Sequence, residues 1–409
     1  MLKQPRQFAT TESLKANCIL LLGVGLVGAN LRVPITSIGA LISFIRDDLG
    51  INNTMAGAIT TLPLLAFALL SPFAPKIANR LGMERTIALS LLLLIIGIAI
   101  RSLFGIRMVF FGTLLIGLAI AVGNVLIPAI VKVNFPFKVG VMTGIYAIFM
   151  NVFAAIGSGF SVPIAEIGQL GWRGSTGIWI FLAIITLIVW MPQLRNEREQ
   201  IHASVQKKSQ TSLWRSSLAW QVTLFMGCQS FVYYTNITWL PDILMTKGYD
   251  ANVAGWIVFL LLFSFIPMTF IIPVVAERLP NQVSLSVLTG ALLIIGYVGL
   301  FFGTSIVVPL AAMVLGIANG CSFGLAMMFF TLRTKDGSEA AELSGMAQSF
   351  GYLLAAVGPI IIGALYDVTN EWILPIILLL LMAILILMNG IAAGKDRQIS
   401  ETASATNAK

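Results

Sequence analysis

Arg32 is the one charged side chain between residues 16 and 42, a stretch otherwise made of apolar and small residues. A helix over this stretch has its midpoint near Ala29, so Arg32 lies about 4.5 Å beyond it at the usual rise per residue. A guanidinium at that depth in hydrocarbon costs several kcal/mol unless it is paired, hydrated or turned towards a cavity. No Asp or Glu falls at a comparable depth: Glu166, Asp242, Asp367 and Glu371 lie near the ends of apolar runs, and the others lie in loops or tails. Unpaired, the guanidinium presents a planar fork of donors suited to a small planar anion. The alternative is that it snorkels outward or binds carbonyls near Pro34, whose ring removes one helical hydrogen bond.

Other polar side chains sit deep in apolar runs: Asn30, Asn124, Asn151, Gln229, Tyr233, Tyr234, Asn236, Asn319, Gln348 and Tyr352. Each is a candidate ligand contact, and each is also readable as an interhelical hydrogen bond worth about 0.6 kcal/mol. Trp239 fits an aromatic belt or an outer gate. Cys18, Cys228 and Cys321 lie within apolar runs without metal-ligand or redox spacing, as buried thiols would. His202, the single histidine, lies in the most polar stretch of the chain. No phosphate-cradling loop, zinc-ligand spacing or nucleophile elbow is present. The expectation is therefore a protein without cofactor or metal that is not an enzyme, and an ATP-driven pump is disfavoured.

Helices must position these residues. Of 409 residues, 58% are apolar and 10% charged, against roughly 45–50% and 25% in an ordinary soluble domain. Stretches free of Asp, Glu, Lys and Arg run 108–131, 139–165, 174–194, 216–241, 251–276, 343–366 and 372–394, each long enough to cross a bilayer. The uncharged block 279–332, interrupted around Gly303-Thr304-Ser305, supplies two more, and 16–42, 54–74 and 86–104 complete twelve. The predicted fold is an all-α polytopic membrane protein. The positive net charge of +8 comes without a basic patch interleaved with aromatics, so nucleic acid is not expected as a partner. The lipid bilayer and a small-molecule substrate are.

Placing both termini in the cytoplasm puts 19 of the 25 basic residues on that side, the asymmetry expected of a multi-pass cell-membrane protein. Arg46, Arg101, Arg107, Arg173 and Lys247 then lie outside, and Arg32 alone stays in the membrane. The polar segment 193–215 divides the chain into an N-terminal six-helix unit, 1–192, and a C-terminal one, 216–394, followed by a tail, 395–409. The halves resemble each other. At an offset of 198, Met55-Ala56-Gly57 matches Val253-Ala254-Gly255, Phe67 matches Phe265, Pro75 matches Pro273, and Arg80-Leu81 matches Arg278-Leu279. At an offset of 201, Thr143-Gly144 and Phe149 match Ser344-Gly345 and Phe350. Such repeats are a sign of a transporter built from two bundles, and the offset of 198 places Ser230 opposite Arg32.

Twelve spans in two pseudo-symmetric six-helix bundles joined by a basic loop resemble the major facilitator superfamily. The stretch from Ala74 to Arg85 is similar to that superfamily's loop motif: Arg80, Gly82 and Arg85 fit, while Ala74 replaces a glycine and Asn79 an aspartate. Gly28-Ala29-Asn30-Leu31-Arg32-Val33-Pro34, the pair Tyr233-Tyr234 with Trp239-Leu240-Pro241, and Gly171-Trp172-Arg173 resemble the cyanate and 2-nitroimidazole transporter branch. The resemblance implies transport by alternating access, with the first, fourth, seventh and tenth spans lining the cavity. That ranks Asn30, Asn124, Tyr233, Asn236 and Asn319 high beside Arg32, and it makes Arg80, Gly82, Arg85, Pro34 and Trp239 candidates for gating. The expected substrate is a cyanate-like anion or a nitro-heterocycle, carried by a monomer, with multidrug export as the alternative. Without a buried carboxylate to titrate, facilitated diffusion, exchange or a proton travelling on the substrate is expected.

Overall fold

The computed structural model describes residues 11–51, 53–167, 170–194, 213–304 and 306–399. Lys3, Arg6, His202, most of the loop expected at 193–215 and the end of the tail lie outside the described residues, as does the side chain of Cys18. Every regular element among the described residues is helical. Span 1 is broken: a helix Thr11–Asn30 is followed by Val33–Ala40, and a further short helix Ile42–Leu49 leads out of it. Span 2 joins Asn53–Leu70 to Ala74–Leu81 across a bend of 57°. Spans 3 to 5 are Met83–Leu103, Ile106–Asn134 and Val139–Glu166, and span 6 joins Gly171–Gly177 to Trp179–Trp190. Spans 7 to 12 are Ser217–Thr246, Ala251–Arg278, Val283–Phe302, Val307–Leu332, Gly337–Thr369 and Ile373–Gly394.

Ten of these stretches are long and apolar enough to cross a membrane, and the bent span 2 makes eleven. Span 7 has the length, 30 residues, but carries too many polar groups for that hydropathy test. It is enclosed by its neighbours, with Gln229, Ser230, Thr235 and Asn236 buried. A helix shielded from lipid has no need of an apolar surface. Spans 4 and 10 are the most enclosed, each 83% buried over its most apolar window, whereas span 12 is 33% buried. The first pair forms the centre of the molecule, and span 12 faces outward with Leu381, Leu385 and Met388 exposed.

Prolines place the breaks. Pro34 cannot donate to the Asn30 carbonyl, and the chain leaves helical geometry at Leu31 and Arg32 before restarting. Pro75 likewise leaves the Ser71 carbonyl without its helical donor, next to the bend in span 2. These irregularities meet the glycines of the other repeat. A Cβ on Gly345 of span 11 would lie 2.6 Å from Ser71 O and 3.2 Å from Pro75 Cγ. In the mirrored crossing, a Cβ on Gly140 of span 5 would lie 2.3 Å from Pro273 O of span 8, and one on Gly144 would lie 2.6 Å from the Phe270 ring. Residues without a Cβ allow this approach of backbones. Both crossings lie on the side carrying the loops between spans 2 and 3, 4 and 5, 8 and 9, and 10 and 11, here called the basic face.

Two polar contacts close the same side. Lys132, in the last turn of span 4, reaches the end of span 10 and donates to the carbonyls of Thr331 and Thr334 and, at 2.9 Å, to Thr334 Oγ1. Glu277 at the end of span 8 accepts from the Gly140 N–H at 2.9 Å. A cation thus sits at a helix C-terminus and an anion at a helix N-terminus, each complementing the helix dipole it meets.

Candidate functional site

The break in span 1 determines what Arg32 faces. Its backbone caps the helix Val33–Ala40 at φ −120°, ψ −43°, and its side chain crosses to the C-terminal half. There Nη1 lies 3.5 Å from Tyr234 Oη, the edge of hydrogen-bond range. The guanidinium carbon is 6.0 Å from the centre of the Tyr233 ring, within cation–π reach. Arg32, Met226, Gln229, Ser230, Tyr233, Tyr234, Phe265, Phe323 and Tyr352 enclose a cavity of about 10 Å³, room for roughly one water.

Aromatic rings hold this wall together. Tyr233 packs on Tyr234 with ring centres 5.3 Å apart and on Phe265 at 5.1 Å, and Tyr352 meets Phe67 edge-on at 4.7 Å. A second layer ties the halves beneath it. Asn124 donates to Tyr352 Oη at 3.2 Å and accepts from Tyr146 Oη at 3.4 Å. Gln348 donates to the Asn124 carbonyl and to Ser344 Oγ, both at 2.8 Å. Gln229 donates to Ser230 Oγ at 2.8 Å, so its amide oxygen is the part left for a ligand. No Asp, Glu or His lines the cavity among the described residues, and Arg32 takes part in none of their ion pairs.

The other polar residues singled out from the sequence are held elsewhere. Asn30 donates to Leu26 O at 2.9 Å and to Thr186 Oγ1 of span 6 at 2.7 Å, within the N-terminal half. Asn236 accepts from Tyr297 Oη of span 9 at 2.9 Å. Asn151 and Asn319 bond to carbonyls one turn back, Ala147 at 2.8 Å and Leu315 at 2.7 Å. Trp239 donates to Pro359 O at 2.8 Å and packs on Trp372, tying spans 7, 11 and 12 together. Arg80 and Arg85 are exposed at the basic face, and Gly82 turns the chain between spans 2 and 3 at φ +91°, a conformation that favours glycine.

The expectation that Arg32 alone stays inside needs correction. Arg101, near the end of span 3, is 1% exposed and donates from Nη1 to the Pro34 carbonyl at 2.7 Å. Its position close to the end of an apolar run made it look like an outer-loop charge. A long side chain can fold back into the protein as readily as snorkel away from it.

Met226, Phe265 and Phe323 are cavity residues that a search for polar groups passes over. Phe265 left one trace, its match with Phe67 in the repeat. Both phenylalanines pack against tyrosines of the cavity wall, Phe265 on Tyr233 and Phe67 edge-on to Tyr352. A larger cavity of about 450 Å³ lies at the basic face, lined by Lys132, Pro136, Thr334, Asp336 and Gln398 among others. It has no aromatic wall, and the Lys132 ammonium beside it already uses its three donors. The cavity at Arg32, by contrast, combines a guanidinium with an aromatic wall.

Residues 20–359 match the sequence profile of the Major Facilitator Superfamily. The chain is 44% identical over 389 residues to the uncharacterized transporter YycB of Bacillus subtilis (strain 168), covering 95% of this chain and 96% of that one. It is 38% identical over 391 residues to the 2-nitroimidazole transporter of Escherichia coli (strain K12), covering 96% and 99%. The cyanate transport protein CynX of the same organism is 22% identical over 356 residues, covering 87% and 92%. Among solved structures, the proton:xylose symporter XylE bound to 6-bromo-6-deoxy-D-glucose superposes with a TM-score of 0.72 at 14% identity, covering 96% of this chain and 98% of that one.

Proposed function

Because the chain belongs to the Major Facilitator Superfamily, whose members are carriers and not enzymes, we propose that it carries a small anion or a nitro-bearing heterocycle by alternating access, with Arg32 as the ligand's charge partner. One observation carries this reading: a guanidinium without a carboxylate partner, set among tyrosine and phenylalanine rings on the line where the two halves meet. A ligand bearing negative charge or nitro oxygens satisfies the fork of donors, and the flat faces of Tyr233 and Phe265 accommodate a ring. The names of two relatives, for 2-nitroimidazole and for cyanate, fit those two chemistries.

The ligand-contact set is Arg32, Tyr233, Tyr234, Gln229 and Tyr352, with Asn124 and Gln348 supporting it from the layer below. Units 1–192 and 216–394 rock about the site as a monomer in the cell membrane. The basic face is the cytoplasmic one, because basic loops stay on that side. The crossings at Gly140 and Gly345 close the basic side in this arrangement. A cavity of about 10 Å³ must widen before it admits a ligand, so binding and rearrangement are coupled. No carboxylate or histidine lines the cavity among the described residues, which supports facilitated diffusion or exchange. The broad apolar surface of a drug exporter is not favoured by a site this small.

The test is ligand-induced thermal stabilisation of the detergent-solubilised protein. Cyanate or 2-nitroimidazole is expected to raise Tm in the wild type and to leave Arg32→Ala unmoved. An equal rise in Arg32→Ala removes Arg32 from the site.

A further inference from the structure

The burial of Arg101 is expensive and its bonding sparse. It is 1% exposed, one of its donors reaches the Pro34 carbonyl at 2.7 Å, and Nε and Nη2 meet no acceptor among the described residues. It takes part in none of their ion pairs. A charge buried without an ion-pair partner or a full set of hydrogen bonds costs several kcal/mol. A purely structural role would therefore be filled better by methionine or leucine.

The acceptor it has chosen is informative. Pro34 lies two residues beyond Arg32, in the first turn of the outer segment Val33–Ala40. The backbone between that segment and Asn30 is loosely bonded: Arg32 N lies 3.5 Å from Ala29 O, and Pro34 has no N–H for the Asn30 carbonyl. The direction of the Arg32 side chain thus depends on how the outer segment sits. The segment packs on spans 2, 5 and 6. Span 5 packs against it at Gly157, where a Cβ would lie 2.9 Å from Thr36 Oγ1 and 3.3 Å from Val33 O. Span 3 adds the hydrogen bond from Arg101 to the Pro34 carbonyl.

We propose that Arg101 is a positioning residue for the ligand site: by holding the Pro34 carbonyl it fixes the break in span 1 that turns Arg32 towards Tyr233 and Tyr234. The inference rests on the assignment of Arg32 as the ligand contact. Arg101 itself does not line the cavity.

The test compares wild type, Arg101→Met, Arg101→Lys and Pro34→Ala by three measurements: Tm without ligand, affinity for cyanate and 2-nitroimidazole, and hydrogen exchange of the amides from 30 to 36. Arg101→Met is expected to keep or raise Tm, to weaken binding about tenfold, as for loss of a charge-assisted hydrogen bond, and to speed exchange over that segment. Arg101→Lys should recover part of the affinity, and Pro34→Ala, which heals the break, should lose affinity without touching Arg101. Affinity within about twofold of wild type in Arg101→Met overturns the proposal, and so does unchanged exchange over 30–36. If Arg101→Met fails to accumulate, Arg101→Lys and Pro34→Ala carry the same comparison. A wild type that binds neither probe overturns the reading of Arg32, while the exchange comparison still decides whether Arg101 holds the break.

Discussion

At the scale of single residues, the polar groups of the cavity wall and of the layer beneath it serve two purposes. Arg32, Gln229 and Tyr234 face the cavity with donor or acceptor capacity left over, whereas Asn124 in the layer beneath is bonded to Tyr352 and Gln348 across the halves. Tyr352→Phe separates the roles. It removes the acceptor of the Asn124 amide, and an orphaned buried donor costs about 1–3 kcal/mol. A Tm several degrees lower is expected, and an unchanged Tm would place the Asn124 link outside the stability of the protein. Arg32 was legible in the sequence because a charge in an apolar run is conspicuous, and Ser230 was legible through the repeat. Asn30, Asn151, Asn236 and Asn319 were visible as polar but not as turned away. In a helix buried on several sides the apolar pattern is flat, and which face meets a cavity is decided by neighbours far along the chain.

At the scale of elements, the repeat itself supplies the contacts that close the basic side. Pro75 and Pro273 were aligned at one offset and Gly144 and Gly345 at another. In three dimensions each irregular span lies against the glycine-bearing span of the opposite half. The matching was readable from the sequence, but the pairing across halves was not, because similarity between repeats does not say which copy packs on which. The end-of-helix contacts of Lys132 and Glu277 were equally hidden, since a loop lysine reads first as an orientation signal. Gly140→Val forces apart spans 5 and 8, and Lys132→Met leaves the end of span 10 without its cation. Both variants are expected to shift the protein towards an arrangement open at the basic face. A cysteine placed at Ser230 should then react several-fold faster with a reagent added from that face, and unchanged reactivity would assign the closure to other contacts.

At the scale of the whole molecule, twelve helices and two similar halves followed from composition, charge punctuation and repeat spacing. The size of the central cavity did not, because it depends on how closely the halves approach. One feature of that centre reaches beyond binding. Arg32 carries a charge that no described residue balances, and in the proposed cycle it sits between two faces that alternate in their access to water. When the halves rock without ligand, the voltage drop is redistributed around a net positive site, whereas a bound monovalent anion makes the moving unit neutral. An elementary charge crossing the full field is worth about 2.3 kcal/mol per 100 mV, so even a fraction of it biases the empty carrier. The empty return step is expected to respond to membrane potential and the loaded step not to, seen as a capacitive current in ligand-free proteoliposomes that anion suppresses and Arg32→Ala abolishes. An undiminished current in that variant would assign the moving charge elsewhere. The unpaired arginine therefore makes the membrane's voltage a party to the transport cycle.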